Sequence, residues 1–175
     1  MKKIIFSAVI ILSLLGCSKI KIDTIYSKEH NFYAKFPAGY NFKEYQKTTF
    51  KGNMYTEAIW SAVVNCCEYT LTVTKWQQDL NNEINQLITE DFDQIMLSEY
   101  GGTISLDEYK YSNNHQWRQM IISNYEGIKN SEYTTLWVKY AVRNNKHFTL
   151  LIFTTDALSF DNYLVWNSIH FIEEN

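Results

Sequence analysis

The chain has 175 residues, of which 46% are hydrophobic, 16% aromatic and 20% charged, and its formal net charge at pH 7 is -3. This length fits one domain, and five Trp, thirteen Tyr and ten Phe exclude an intrinsically disordered chain. A mildly acidic balance argues against a nucleic-acid-binding surface, which would need a basic stripe. We therefore expect a single folded domain that does not bind nucleic acid.

Residues 1–16 have the pattern of a signal peptide. Two lysines, Lys2 and Lys3, precede an apolar stretch over residues 4–15. At about 1.5 Å per helical residue this stretch reaches roughly 18 Å, which is too short for a hydrocarbon core of about 30 Å. The pattern therefore predicts a cleaved segment rather than a transmembrane helix.

The apolar stretch ends in a short motif that resembles the lipobox of bacterial lipoproteins, Leu14-Leu15-Gly16-Cys17. The resemblance implies cleavage before Cys17, attachment of two acyl chains to its sulfur and acylation of the new amino group. Three acyl chains of the palmitate class would anchor the protein stably in a membrane. An ordinary secretory signal that contains a cysteine is the alternative.

Cleavage before Cys17 would remove 16 residues and two lysines, which leaves 159 residues and a net charge of -5. By analogy with lipoprotein sorting in Gram-negative bacteria, Ser18 favours the periplasmic face of the outer membrane. A Gram-positive source would instead place the protein on the outer face of the cytoplasmic membrane. We expect a lipidated tether over residues 17–24 and a single domain over residues 25–175.

Several segments of the domain alternate apolar and polar residues with the period of two that is typical of half-buried strands. Their ranges are 32–36, 69–74, 103–111, 115–125, 135–142 and 148–155. Asparagine-rich turns at 112–114 and 143–146 separate the last four into two hairpins, because Asn tolerates a positive φ. The sheet is therefore predicted to be antiparallel.

Two segments have helical spacing. From Trp76 to Tyr100 the apolar residues recur every three or four positions and form one stripe, and Gly101-Gly102 supplies the stop. A second helix is predicted from about Ser159, before a short last strand at His170–Ile172. These elements predict an α+β fold, with an antiparallel β-sheet packed against one long and one short helix.

The order of these elements, ending in the pattern Trp166-Asn167-Ser168-Ile169-His170-Phe171, resembles the PsbP-like family. Its members include bacterial lipoproteins, a photosystem II extrinsic subunit and a yeast nuclear-import factor. The resemblance covers about Tyr26 to Ile172 and implies an α/β/α sandwich that binds other proteins rather than catalysing a reaction. No family motif with functional residues matches, so no residue role is carried over.

The adjacent thiols Cys66 and Cys67 would be the only free cysteines after lipidation of Cys17. Adjacent Cα atoms lie 3.8 Å apart, below the usual range of a disulfide, so a vicinal bridge would be strained and reducible. The side chains of neighbouring strand residues also point to opposite faces. A candidate redox pair and two unrelated thiols are both consistent with the sequence.

The four histidines, His30, His115, His147 and His170, are far apart in the chain and form no HxH or HxxxH pair. Each is interpreted as an isolated strand residue rather than a metal ligand. No GxSxG, HExxH, Walker A or GxGxxG motif occurs. We therefore expect no catalytic residue, no metal and no cofactor.

The predicted long helix has an acidic face. No Lys or Arg occurs between Lys75 and Lys110, and this segment carries a charge of -8. Asp79, Glu83 and Glu90 fall on one side of the helix, opposite the apolar stripe. This ridge could attract a basic partner or could be an ordinary solvated face.

Two functional hypotheses follow from these patterns. The first is a lipid-anchored, non-enzymatic protein-interaction module of the cell envelope, which binds an unknown envelope protein with the acidic ridge as a candidate surface. The alternative is a small-molecule or glycan-binding lipoprotein that uses exposed aromatic residues. A hydrolase or redox enzyme is a weaker third option.

Overall fold

The computed structural model describes residues 19–48, 54–65, 67–77, 101–113, 115–124, 133–155 and 160–173. Of these residues, 71% lie in strands and 6% in a helix. The strands in chain order are β1 Ile22–Ser27, β2 Phe32–Pro37, β3 Asn41–Thr48, β4 Met54–Val64, β5 Cys67–Trp76, β6 Thr103–Ser112, β7 His115–Ser123, β8 Thr135–Arg143, β9 Lys146–Thr154 and β10 His170–Phe171. The helix α1 runs from Phe160 to Trp166.

The strands form two antiparallel sheets. The small sheet has the order β1-β2-β10, and the large sheet has the order β3-β4-β5-β9-β8-β7-β6. Both predicted hairpins are confirmed, because β6 pairs with β7 and β8 with β9. Their turns contain Asn113, Asn144 and Asn145 with φ values of 53°, 48° and 57°, which asparagine adopts at low cost.

The main core lies between the small sheet, the large sheet and α1. In β2 the apolar residues Phe32, Ala34 and Phe36 are at most 1% exposed, whereas the residues between them face solvent. The Phe32 ring meets the rings of Trp60 and Phe148 edge to face, at centroid distances of 5.4 and 5.7 Å. The predicted alternation in β2 therefore marks the face that joins the two sheets.

A second hydrophobic cluster lies on the other face of the large sheet. Its buried members come from the three adjacent strands β7, β8 and β9: Met120, Ile122, Leu136, Val138, Leu151 and Phe153. In each of these strands the alternate residues belong to the main core or its margin. These strands are therefore buried on both faces, whereas β3 at one edge is exposed along its whole length.

The predicted α+β class with one long and one short helix is wrong for the part of the chain that the structure describes. That part is a mostly β protein, with 71% of its residues in strands and 6% in a helix. The small sheet, with α1 beside it, covers one face of the large sheet where helices were expected. Trp76 also does not begin a helix: it ends β5, where it pairs with Tyr55 of β4. At this position the backbone hydrogen bonds to β4 determine the conformation, although the spacing of the apolar residues is helical. The rest of the proposed long helix, residues 78–100, lies outside the described residues.

The folded part begins earlier than the expected tether allows. Strand β1 starts at Ile22 and pairs with β2 up to Pro37. Before it, Ile20 is only 8% exposed, and its N–H donates to Oδ2 of Asp161 at 3.2 Å. The last residues of the predicted tether over 17–24 are therefore part of the domain.

His147 is a buried neutral residue that should make the fold sensitive to acid. Burial lowers its pKa to about 4, and its Nδ1 lies 3.3 Å from the hydroxyl of Tyr140. A histidine in the unfolded chain titrates near 6.5. Because the unfolded state then binds the proton first, the free energy of unfolding should fall by about 3 kcal/mol between pH 6.5 and pH 4.

This loss is measured by urea unfolding of the wild type and His147→Gln between pH 7 and pH 4. The variant should lose less stability over this range, since glutamine does not titrate. An identical dependence on pH in both proteins would contradict the assignment to His147.

Candidate functional site: an aromatic groove

An open groove of about 420 Å³ lies between the outer face of the small sheet and α1. We call it the aromatic groove. It is lined by Thr24, Tyr33, Lys35, Phe160, Tyr163, Leu164, Asn167, Ser168 and His170. Several of these side chains are apolar yet face solvent, which is the usual sign of a surface that another molecule covers.

The sheet side of the groove follows from the alternation in β2. With Phe32, Ala34 and Phe36 in the core, Tyr33 and Lys35 must point outward. Tyr33 pairs with His170 of β10, and the two rings stack with their centroids 4.8 Å apart and an interplanar angle of 7°. The pairing thus places two stacked rings in the groove lining together with Lys35.

The helix side of the groove consists of the exposed face of α1. Phe160 is 78% exposed and Tyr163 is 48% exposed, whereas Asn162, Val165 and Trp166 on the opposite side are buried. This face of α1 therefore presents a mostly exposed Phe160 ring and a half-exposed Tyr163 ring to solvent. Because α1 has only seven residues, it is held in position by the contacts of its buried side rather than by its own helical hydrogen bonds.

The buried side of α1 is fixed by polar contacts as well as by packing. The hydroxyl of Tyr69 on β5 donates to Oδ1 of Asn162, and Nδ2 of Asn162 lies 3.6 Å from Sγ of Cys67. Burial raises the pKa of Tyr69, so this hydroxyl keeps its proton at neutral pH. Cys67 therefore serves as a packing residue beneath the helix.

Hydrogen bonds also hold the chain that follows α1. The backbone N–H of Lys35 donates to Oγ of Ser168 at 2.8 Å, and that hydroxyl lies 2.8 Å from the carbonyl oxygen of Val165. From the β6–β7 turn, Nδ2 of Asn113 donates to the carbonyl oxygen of Ile169 at 2.9 Å. The floor of the groove is thus fixed to both sheets.

A buried lysine completes this support. Lys139 on β8 is fully buried, and its ammonium donates to the carbonyl oxygen of Trp166 at 2.9 Å. The same ammonium lies 4.7 Å from the ring centroid of Trp117, a distance that suits a cation–π contact. Burial lowers the pKa of Lys139 to about 8.

Lys35 is the charged residue among the described side chains that line the groove, and none of those described side chains is a carboxylate. An ammonium next to stacked aromatic rings attracts anionic groups, and the rings supply apolar contact area. The groove is therefore suited to a ligand that combines a carboxylate with an apolar group.

The site residues predicted from sequence are only partly covered by the structure. Cys17, Cys66 and the three residues of the acidic ridge, Asp79, Glu83 and Glu90, lie outside the described residues. Cys67 is a free thiol and is buried. Three of the four histidines lie in strands as expected, but His30 lies in the turn between β1 and β2.

The exposed aromatic residues are tyrosines and phenylalanines rather than tryptophans. Three of the five Trp are buried and the other two are half-buried, so none offers a free face for stacking. Sequence reasoning identified the strand that carries Tyr33 and Lys35 but did not identify the groove. The signal available was the solvent-facing half of the alternation in β2.

The fold and the site together define an antiparallel two-sheet domain with an open aromatic groove beside its C-terminal helix. Among solved structures the chain is similar to cyanobacterial PsbP (CyanoP) from Synechocystis sp. PCC 6803, with a TM-score of 0.53 and 8% sequence identity over 89% of this chain and 95% of that chain. This similarity confirms a PsbP-like fold and, at such low identity, concerns the fold alone. No family model matches the chain, and no curated protein matches it.

In the described ranges no helix is long and apolar enough to span a membrane.

Proposed function

We propose that the protein is a lipid-anchored, non-enzymatic protein-interaction module of the cell envelope that binds a partner protein through the aromatic groove. The observation that carries this proposal is the pair of exposed rings on α1, Phe160 and Tyr163, which face Lys35 across the groove. Aromatic side chains fixed on a rigid surface are the residues that most often dominate the energy of protein–protein interfaces.

The openness of the groove favours a macromolecular partner. Sites for small molecules enclose most of the ligand surface, whereas Phe160 is 78% exposed and lies at the rim. A partner protein covers such a ring completely and removes its apolar surface from water. The hydrogen-bonded floor around Ser168 lowers the cost of ordering the interface on binding.

The charges select the chemistry of the partner segment. Because the described lining of the groove contains Lys35 and no carboxylate, an aspartate or glutamate of the partner would meet the Lys35 ammonium there. An apolar or aromatic side chain of the same segment would then pack against Tyr163. We therefore propose an acidic partner segment that carries at least one such side chain.

Membrane attachment is the second part of the proposal. It is supported by the basic start of the chain, the short apolar stretch and Cys17 in its lipobox-like context. Ser18 supports the periplasmic face of the outer membrane if the source is Gram-negative. The outer face of the cytoplasmic membrane is the corresponding position in a Gram-positive cell.

The partner should be detected by photo-crosslinking in intact cells from a benzoylphenylalanine at position 163. The same probe at Tyr111, which is 73% exposed on the far edge strand β6, is the matched control. We expect a protein adduct from position 163 and none from position 111. No protein adduct from position 163, or the same adduct from both positions, would contradict the proposal.

Once the cross-linked partner is purified, Lys35→Glu should weaken its binding by at least about tenfold, because the substitution places a carboxylate against an acidic segment. Lys43→Glu, which changes the same charge on the outer strand β3, should leave the affinity unchanged. Equal affinities for the wild type and Lys35→Glu, measured by calorimetry, would remove the groove from the interface.

The alternative function, binding of a small molecule or glycan, is favoured by one observation. The groove volume of about 420 Å³ lies in the range of small-molecule clefts, roughly 300–1,000 Å³. Native mass spectrometry of the gently extracted protein distinguishes the two functions. A bound small molecule that Tyr163→Ala removes would support this alternative over the protein partner.

A further inference from the structure

A second group of side chains meets at the β1–β2 turn of the small sheet. Glu29 and His30 lie in the turn between β1 and β2, and Glu44 lies on the edge strand β3 of the large sheet. One ligand-type atom from each residue lies within 4.8 Å of the others. None of these residues lines the aromatic groove.

The imidazole of His30 is the central feature of this group. The residue is only 3% exposed, and its Nδ1 has no hydrogen-bond partner in the described part of the chain. Its Nε2 lies 3.8 Å from Oε1 of Glu44, which is too long for a hydrogen bond. Burial of Nδ1 without a partner costs free energy, and Nε2 is the ring nitrogen that lies nearest the Glu44 carboxylate.

The ring is also held in place. Its plane meets the ring of Trp60 edge to face at a centroid distance of 5.9 Å, and the backbone N–H of His30 donates to Oγ of Ser27 at 3.3 Å. The two glutamates are exposed and can move their carboxylates. With the His30 ring fixed and the two carboxylates free to rotate, one imidazole nitrogen and two carboxylate oxygens can all reach coordination distance of one ion.

We propose that Glu29, His30 and Glu44 form a binding site for a divalent transition-metal ion, with Zn²⁺ as the ion it suits best. One imidazole nitrogen and two carboxylate oxygens form a mixed donor set that suits Zn²⁺, whereas Mg²⁺ and Ca²⁺ are bound by oxygen ligands. Three protein ligands leave one position of a tetrahedral Zn²⁺ for water. The ion would connect the small sheet to the edge of the large sheet.

Two lysines, Lys146 and Lys75, whose charges act on His30, set a limit on the affinity. The ammonium of Lys146 donates to the carbonyl oxygen of Glu29 at 3.2 Å and therefore repels an ion bound by the adjacent side chain. Two carboxylates in direct contact with the ion oppose this repulsion, because the attraction is strongest at the shortest distances. We expect weaker binding than at a structural zinc site with four protein ligands.

The test is a Zn²⁺ titration of the detergent-extracted full-length protein, followed by the ¹⁵N resonances of the His30 ring and by calorimetry. Because free thiols also bind Zn²⁺, the His30 ring shift is the deciding measurement. Stoichiometric Zn²⁺ should shift one ring nitrogen strongly, and Mg²⁺ at the same concentration should not. Ring resonances that Zn²⁺ leaves unchanged would overturn the proposal.

Two isosteric variants identify the carboxylate ligands. Glu29→Gln and Glu44→Gln should each weaken Zn²⁺ binding at His30 by at least about tenfold, which is the smallest loss usual even for groups that only orient a ligand. Glu108→Gln, on the edge strand β6 at the other side of the large sheet, should bind as the wild type does. Wild-type affinity in either Glu29→Gln or Glu44→Gln would overturn the three-residue site.

Discussion

Replacement of Cys17 by serine should abolish incorporation of labelled palmitate and move the protein from the membrane pellet to the soluble fraction. Each buried CH₂ of an acyl chain contributes about 0.8 kcal/mol to membrane binding, so the three expected chains account for nearly all of the attachment. The apolar stretch before Cys17 is too short to span the bilayer by itself. Cell fractionation with an alkaline carbonate wash measures the redistribution.

Cys67→Ser is the matched control for this experiment. It also removes one thiol, but from a buried position beneath α1, so palmitate incorporation and membrane attachment should persist. A Cys17→Ser protein that still carries palmitate, or that stays in the carbonate-washed membrane, would refute lipidation at Cys17.

Lys139 should make the protein more stable as the solution becomes alkaline. Its pKa is about 8 in the folded protein against an ordinary value of 10.5, so between these values the unfolded chain holds a proton that the folded protein has released. Stability then rises with pH. The full difference corresponds to about 3 kcal/mol, and much of it should develop between pH 8 and pH 10.

Urea unfolding of the wild type and Lys139→Met over this range measures the effect. Methionine keeps an apolar stem of similar length and does not titrate, so the variant should show a flatter dependence on pH. Above pH 10 the raised pKa of Tyr69 acts in the opposite direction, because the unfolded tyrosine ionises first. Parallel curves for the two proteins between pH 8 and pH 10 would exclude Lys139 as the cause.

The hairpins of the large sheet could be predicted from sequence because their signals are local. The alternation in β8 and β9 and the two asparagines between them, Asn144 and Asn145, determine both the strands and the turn. The same holds for β2, where each second residue is apolar. In such segments the side-chain pattern and the backbone preference agree.

Three strands, β1, β3 and β4, were not predicted from sequence. Strand β4 does alternate, with Ala58, Trp60 and Ala62 buried, whereas β1 and β3 do not. Strand β1 has a single buried residue, Ile25, and β3 has none, so neither shows the period of two. Their pairing partners impose the strand conformation. Trp76 is predicted to lie in a helix because the apolar residues after it have helical spacing. Its pairing with Tyr55 in the β4–β5 ladder is visible only in the three-dimensional structure.

The two candidate sites depend on residues that are distant in sequence. Tyr33 and Tyr163 line one groove although 130 positions separate them, and Glu44 approaches His30 only because β3 lies beside the β1–β2 turn. No spacing rule could connect these residues. The solvent-facing residues of β2 were visible in the sequence, but their neighbours on α1 were not.

The hydrogen bond between Ile20 and Asp161 limits how far the aromatic groove can lie from a lipid attached to Cys17. Asp161 follows Phe160, a lining residue of the aromatic groove, and Ile20 is only three residues from Cys17. Three extended residues span at most about 10 Å, so a lipid on Cys17 would hold this part of the groove within roughly one headgroup layer of the bilayer. A partner would then have to present its acidic segment at the membrane surface itself. A partner that diffuses away from the membrane could not reach the groove.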